Sequence, residues 1–140
     1  AIQADVEHFS DGHQVREIPH DQWNALQMAK NLYELGHNPV AVPQTAAHIS
    51  PAMKELEAAL AAGRVHHDGN RVLTWMIGNV TSHEDWKGNH FPRKETKNST
   101  RKIDGAVATI MGVGRAMHDE GEYSPYDDPN YDASEANLDD

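Results

Sequence analysis

Two aspartates in this sequence stand where a carboxylate could do chemistry. Asp104 opens a helix, predicted over about residues 103–117, that is apolar almost all round; Asp21 follows a predicted strand and opens another helix. In open α/β sheets, ligands bind beyond the carboxyl ends of the strands. Hard divalent cations such as Mg²⁺ take carboxylate oxygens and water. The sequence therefore predicts that Asp21 and Asp104 can converge on one metal site.

Each aspartate also has an ordinary structural interpretation. An aspartate before a helix usually caps it, which would account for Asp21. Asp104 could accept a hydrogen bond or pair with Arg101 or Arg115. The helix that begins near Asp104 is apolar almost all round, and such a helix is normally buried. Burial of a carboxylate costs free energy unless the group is paired or holds a metal. We therefore expect Asp104 to be buried or half-buried, with both interpretations open.

The predicted helix at residues 103–117 is rich in small residues, which lower its intrinsic stability. This set consists of Gly105, Ala106, Ala108, Gly112 and Gly114. Such residues make sense if another element approaches the helix closely, and we expect that element to be a sheet.

A basic segment, residues 87–102, precedes Asp104. It holds one acidic residue, Glu95, and six basic ones: Lys87, Arg93, Lys94, Lys97, Arg101 and Lys102. Such a segment is often only a solvated loop. Together with Trp86 and Phe91 on a predicted hairpin, it could instead run along a phosphate backbone.

The histidines do not indicate a zinc site, although there are ten of them. None shows the closely spaced ligand pairing of known zinc motifs, and cysteine is absent. No apolar run approaches the length of a membrane span, and the N-terminus has no signal-peptide pattern.

The formal charge of −10 is concentrated at one end of the chain. Residues 119–140 contain nine Asp and Glu and no Lys or Arg, which leaves 12 basic against 13 acidic residues in 1–118. We predict a domain over 1–118 and an acidic tail over 119–140 that is too polar to fold alone.

Hydrophobic periodicity and turn residues predict an order of short elements. Helices are predicted at 2–10, 20–35, 51–62, 72–80 and 103–117, extended segments at 14–18, 39–42 and 64–67, and a hairpin at 82–93. This alternation predicts an α/β domain with a partly parallel sheet flanked by helices.

Six blocks in this order and spacing carry a family resemblance: DQWNA (21–25), SPAMKELE (50–57), GNRVLTW (69–75), GNV (78–80), KIDGAVA (102–108) and GRA (114–116). From about Val15 to Met117 the chain resembles the C-terminal nuclease domain of the large terminase subunit of tailed double-stranded DNA phages. The block around Asp104 is the most specific.

The resemblance implies an RNase H-like fold and a nuclease that cuts concatemeric phage DNA during genome packaging. In that family three acidic residues hold two Mg²⁺ or Mn²⁺ ions; Asp21 matches the second by position and Asp104 the third. The first normally lies on a leading strand that this sequence does not contain, and the family's ATPase motif is also missing. We therefore expect a fragment lacking the leading strands, inactive or weakly active alone.

The resemblance also suggests roles for other residues and for partners. Candidate DNA contacts are Lys97, Arg101, Lys102, Lys94 and Arg93; His20 and His67 are possible near-site residues. The expected partners are double-stranded DNA, the portal protein and the small terminase subunit, in the cytoplasm of the host and with no membrane.

Two other interpretations remain open. The chain could be an inactive docking module of the packaging machinery, with its acidic tail on a basic protein surface. It could also be a fragment whose exposed sheet edge dimerises. Salt-sensitive DNA binding would favour the nuclease over the docking module.

Overall fold

The computed structural model describes residues 2–118, so the predicted acidic tail lies outside the described residues. The chain forms two compact units, which we call unit 1 (residues 2–41) and unit 2 (residues 42–118). None of the described helices is both long enough and apolar enough to span a bilayer.

Unit 1 alternates helices and strands: α1 (Ile2–Asp11), β1 (Ile18–Asp21), α2 (Leu26–Glu34) and β2 (Pro39–Val42), of which the last residue is counted with unit 2. The strands β1 and β2 form a two-stranded sheet, and the Ile18 N–H donates to the Asn38 carbonyl next to it (2.8 Å). Ala29 and Leu32 are the buried residues of α2. Gly36, at a φ of 90°, ends this helix in a conformation that favours glycine.

The first strand lies later in the chain than its predicted position at residues 14–18. It runs through Pro19, the residue that follows the predicted segment. Successive backbone N–H groups of a strand point to opposite edges, and that of Ile18 points to the neighbouring strand. The nitrogen of Pro19 therefore faces the other edge, where a missing donor breaks no hydrogen bond of this sheet.

Unit 2 contains α3 (Ala46–Ala61), α4 (Arg71–Gly78), β3 (Val80–Glu84), β4 (His90–Lys94) and α5 (Asp104–Ala116). Helix α3 packs on both α5 and β4, and α4 packs on α5. The buried side chains of this core are Ile49, Ala52, Met53, Leu56 and Ile110. Residues 64–67, predicted to be extended, form no strand.

Helix α3 begins five residues before the predicted start at Pro51. Thr45 caps it by accepting the His48 N–H on its side-chain oxygen (3.4 Å). Pro51 lies early in the helix, where its missing N–H removes one bond, to the carbonyl four residues before it. Ser50 is not a cap: its buried hydroxyl accepts the His90 N–H of β4 (2.9 Å).

The predicted hairpin is present as β3 and β4, which pair antiparallel from Val80 opposite Lys94 to Glu84 opposite His90. Its turn is organised by the Asp85 carboxylate, which accepts the backbone N–H groups of Lys87 (2.8 Å) and Asn89 (2.9 Å) and the Asn89 side chain (3.0 Å). The side-chain hydrogen bond from Asn89 is the largest cause of a lowered Asp85 pKa. The α/β class is confirmed, with the described strands in two separate pairs.

Candidate functional site

Asp104 is the first residue of α5 and is exposed, not buried as the apolar helix led us to expect. The buried stripe of this helix contains Ala106 and Ile110. At 100° per residue, Asp104 lies roughly 200° from Ala106 and so on the opposite side of the helix. An acidic residue in the first turn is favoured by the positive end of the helix dipole.

The carboxylate of Asp104 makes no bond with the described residues. It has no hydrogen bond or ion pair with any residue between 2 and 118. The alternative pairing with Arg101 does not form, since Arg101 Nη1 lies 3.8 Å from Glu95 Oε2. Pairing with Arg115 does not form either; this arginine has another partner.

The start of α5 is fixed by contacts with α4. The Gly105 N–H donates to Met76 Sδ (3.1 Å), and Asn79 Nδ2 donates to the Lys102 carbonyl (3.0 Å). A Cβ atom on Gly105 would lie only 2.8 Å from Met76 Sδ, and one on Gly114 3.1 Å from the Ala52 Cβ of α3. Gly105 and Gly114 therefore admit two helices, α4 and α3, where we had expected a sheet.

Asp21 is the last residue of β1 and is half-buried. Its Oδ1 accepts the Trp23 N–H (2.8 Å) and its Oδ2 accepts Asn24 Nδ2 (3.1 Å). It therefore caps a turn and not the following helix, which begins at Leu26. Each carboxylate oxygen has a further lone pair with which to bind a ligand.

Asp21 belongs to unit 1 and Asp104 to unit 2, so their convergence stays a prediction. Within residues 2–118, no group of three or more His, Asp or Glu side chains is arranged to hold a metal ion.

The two near-site histidines differ in their surroundings. His20 is buried next to Asp21, with its Nδ1 2.9 Å from the Asp21 backbone carbonyl. His67 is exposed in the loop between α3 and α4, where its Nδ1 accepts the Gly69 N–H (3.0 Å). Because Nδ1 accepts this bond, Nε2 is the ring nitrogen left to act as a donor.

The basic segment offers cations next to Asp104 in the sequence. Arg93, Lys97, Arg101 and Lys102 are exposed, whereas Lys94 is half-buried. Unit 2 is positive overall, since residues 42–118 hold ten Lys and Arg against seven Asp and Glu. This segment therefore has the charge and exposure that phosphate contacts need.

The two aromatic residues of the hairpin have different environments. Trp86, in the turn, is 89% exposed, and Lys87 Nζ lies 4.9 Å from the centroid of its ring. Phe91 packs against the core of unit 2. Of these two aromatic residues, Trp86 is therefore the more accessible to a ligand that runs along this hairpin.

Asn79 contacts the backbone beside Asp104, and sequence reasoning missed it. It occurs in the quoted GNV block, and a Gly-Asn pair after an apolar helix could have indicated a helix end. Nothing in the local sequence indicates its partner, because the Lys102 carbonyl lies 23 residues further along the chain.

Comparison with known proteins gives consistent results. Residues 2–120 match the family described as terminase large subunit, endonuclease domain. The chain is 47% identical over 109 residues to Protein YmfN of Escherichia coli strain K12, covering 77% of this chain and 24% of that protein. It is 29% identical over 117 residues to the terminase large subunit of Enterobacteria phage HK97, covering 82% of this chain and 23% of that protein.

The solved structures add a match in three dimensions. The crystal structure of the HK97 bacteriophage large terminase has a TM-score of 0.70 and 28% sequence identity to this chain, covering 81% of this chain and 24% of the terminase chain. The similar fold agrees with the RNase H-like expectation. The chain spans about a quarter of the length of these relatives. Because the family match extends over most of its residues, the chain belongs to the terminase large subunit endonuclease-domain family.

Proposed function

We propose that this chain forms part of a metal-dependent endonuclease that cuts concatemeric double-stranded DNA during phage genome packaging in the host cytoplasm. The observation that carries this proposal is the environment of the Asp104 side chain. In a chain of the endonuclease family, an exposed carboxylate without a partner in residues 2–118 stands directly after a basic segment.

The donor groups fit Mg²⁺ or Mn²⁺, which take carboxylate oxygens and water as ligands. Neither oxygen of Asp104 has a partner within residues 2–118, and Asp21 keeps one lone pair on each oxygen beyond its turn hydrogen bonds. In a two-metal site, the ions activate the attacking water and stabilise the leaving oxygen of a phosphodiester. The role we propose for both aspartates is to hold these ions.

Other residues of the chain bind and orient the DNA in this proposal. The loop before Asp104 carries three cations that neutralise DNA phosphates: Lys97, Arg101 and Lys102. Arg93 and Lys94 extend this contact along β4. His67 offers an exposed N–H donor. His20 supports the backbone at Asp21, because its ring nitrogen contacts the Asp21 carbonyl.

The proposal is tested by nicking of supercoiled plasmid with the chain in molar excess and Mn²⁺ present. Asp5 supplies a matched control, because it is an exposed aspartate in the first turn of another helix, α1. We expect slow nicking that Asp104→Asn abolishes and Asp5→Asn retains. Equal nicking by Asp104→Asn would contradict the proposed role of Asp104.

A second candidate function is an inactive docking module that binds the portal protein or the small terminase subunit. The absence of a three-ligand group within residues 2–118 favours it. In this case the wild-type chain would not nick plasmid in Mn²⁺ even in excess, yet it would bind immobilised portal or small subunit. That combined result would replace the nuclease proposal.

A further inference from the structure

The first turn of α5 is not held by a cap of its own. Ile103 occupies the N-cap position, and its side chain cannot make the hydrogen bond that a capping residue supplies. Ile103 is instead buried, at 9% exposure. The position of Asp104 therefore depends on what holds residues 102–105 from outside the helix.

Helix α4 supplies this support through Asn79. This residue is the C-cap of α4, where its backbone N–H bonds to the Met76 carbonyl (3.1 Å). Its side-chain amide donates to the Lys102 carbonyl (3.0 Å). One residue thus ends α4 and fixes the backbone two positions before Asp104.

Gly105 makes the second contact, on the other side of Asp104 in the sequence. Its N–H donates to Met76 Sδ (3.1 Å), and an added Cβ would meet Met76 Sδ at 2.8 Å and Leu73 Cδ1 at 3.3 Å. The backbone of α5 therefore approaches α4 as closely as only glycine allows. Lys102 and Gly105 are both attached to α4, and the Asp104 backbone lies between them.

We propose that Asn79 is a positioning residue for the nuclease site: its amide holds the backbone from which Asp104 and Lys102 extend. This rests on the proposed function, in which Asp104 is a metal ligand and Lys102 a phosphate contact. Groups that hydrogen-bond a metal ligand orient it, and their removal typically costs about 10- to 100-fold in metal affinity. Asn79 acts one step further back, through the Lys102 carbonyl, so its removal should cost no more than the lower end of this range.

The test compares Asn79→Leu, which keeps the size of the side chain and removes its amide, with Ala58→Gly. Ala58 is exposed in α3, so its glycine variant destabilises unit 2 by lowering helix propensity without touching α4 or Asp104. Two quantities are measured on both variants and on the wild-type chain: amide hydrogen exchange without metal, and Mn²⁺ affinity by calorimetry.

We expect Asn79→Leu to speed amide exchange at residues 105–107 clearly beyond Ala58→Gly, and to weaken Mn²⁺ binding by up to about tenfold, the lower end of the loss for groups bonded directly to a ligand. Unchanged exchange at these amides would overturn the inference, as would an equal loss of Mn²⁺ affinity in Ala58→Gly. Mn²⁺ binding that Asp104→Asn leaves intact would refute the proposed function and with it the functional half of this inference. The exchange result would then still decide whether Asn79 holds the start of α5.

Discussion

At the scale of single residues, the basic segment makes the most direct prediction about DNA. Arg101 is exposed, and its only ion pair among residues 2–118 is a distant one, 3.8 Å from Glu95. A protein that neutralises one phosphate fewer has a shallower dependence of log affinity on log salt, by about 0.9 for a duplex.

We therefore expect Arg101→Gln to reduce this slope by about one, measured by fluorescence anisotropy of a labelled duplex at several salt concentrations. Arg64→Gln is the control, because Arg64 is an exposed arginine that bonds to Glu55 of α3 (3.0 Å). An equal change of slope in both variants would mean that the segment attracts DNA only through the overall charge.

Asp85 predicts a pH dependence of the hairpin. Hydrogen bonds, chiefly from Asn89, lower its pKa in the folded chain. A depressed carboxylate pKa stabilises the fold above the unfolded value, near 4, and this contribution disappears as the pH falls through the folded pKa. The melting temperature should therefore drop more with Asp85→Ala at pH 7 than at pH 2.5. An equal drop at both pH values would contradict the role of the ionised carboxylate.

At the scale of elements, Ser50 joins α3 to β4. It is 2% exposed, and its hydroxyl accepts the His90 N–H at the start of this strand. Ser50→Ala would leave that N–H without a partner, and the free energy of unfolding should fall by about 1–3 kcal/mol.

Urea denaturation measures this change. Ser99→Ala is the control, because the Ser99 hydroxyl accepts the Arg101 N–H (3.1 Å) in an exposed loop and water can replace it. A loss below about 0.5 kcal/mol for Ser50→Ala, the range of ordinary surface substitutions, would show that the contact between α3 and β4 does not depend on this bond.

At the scale of the whole molecule, local patterns predicted most elements and failed where distant contacts decide. The hairpin and α4 follow from turn residues and periodicity, and both are present. The pair Ser50-Pro51 has the residue types of a helix start, but Thr45 caps the helix earlier in the chain. The Ser50 hydroxyl instead accepts a hydrogen bond from β4. Residues 64–67 pair with none of the strands found between residues 2 and 118, so they are not a strand.

The candidate site likewise has features that the local sequence predicts and features that depend on distant contacts. Asp104 is found from its sequence block alone, but its exposure depends on which side of α5 packs on α3 and α4, and periodicity leaves this open in a helix that is apolar nearly all round. Asn79 could not be predicted to contact Lys102, because that contact is tertiary. The exposed cations of the basic segment could be predicted, because charged residues are read directly from the sequence.

The central claim, that Asp104 is a metal ligand, is tested most directly by calorimetric titration of Mn²⁺ into the wild-type chain, Asp104→Asn and Asp5→Asn. We expect the wild-type chain and Asp5→Asn to bind with the same affinity and Asp104→Asn to lose at least about tenfold, since a carboxylate ligand is removed. If Asp104→Asn binds Mn²⁺ as tightly as the wild-type chain does, Asp104 is not a ligand, and its place at the start of α5 only serves the stability of that helix.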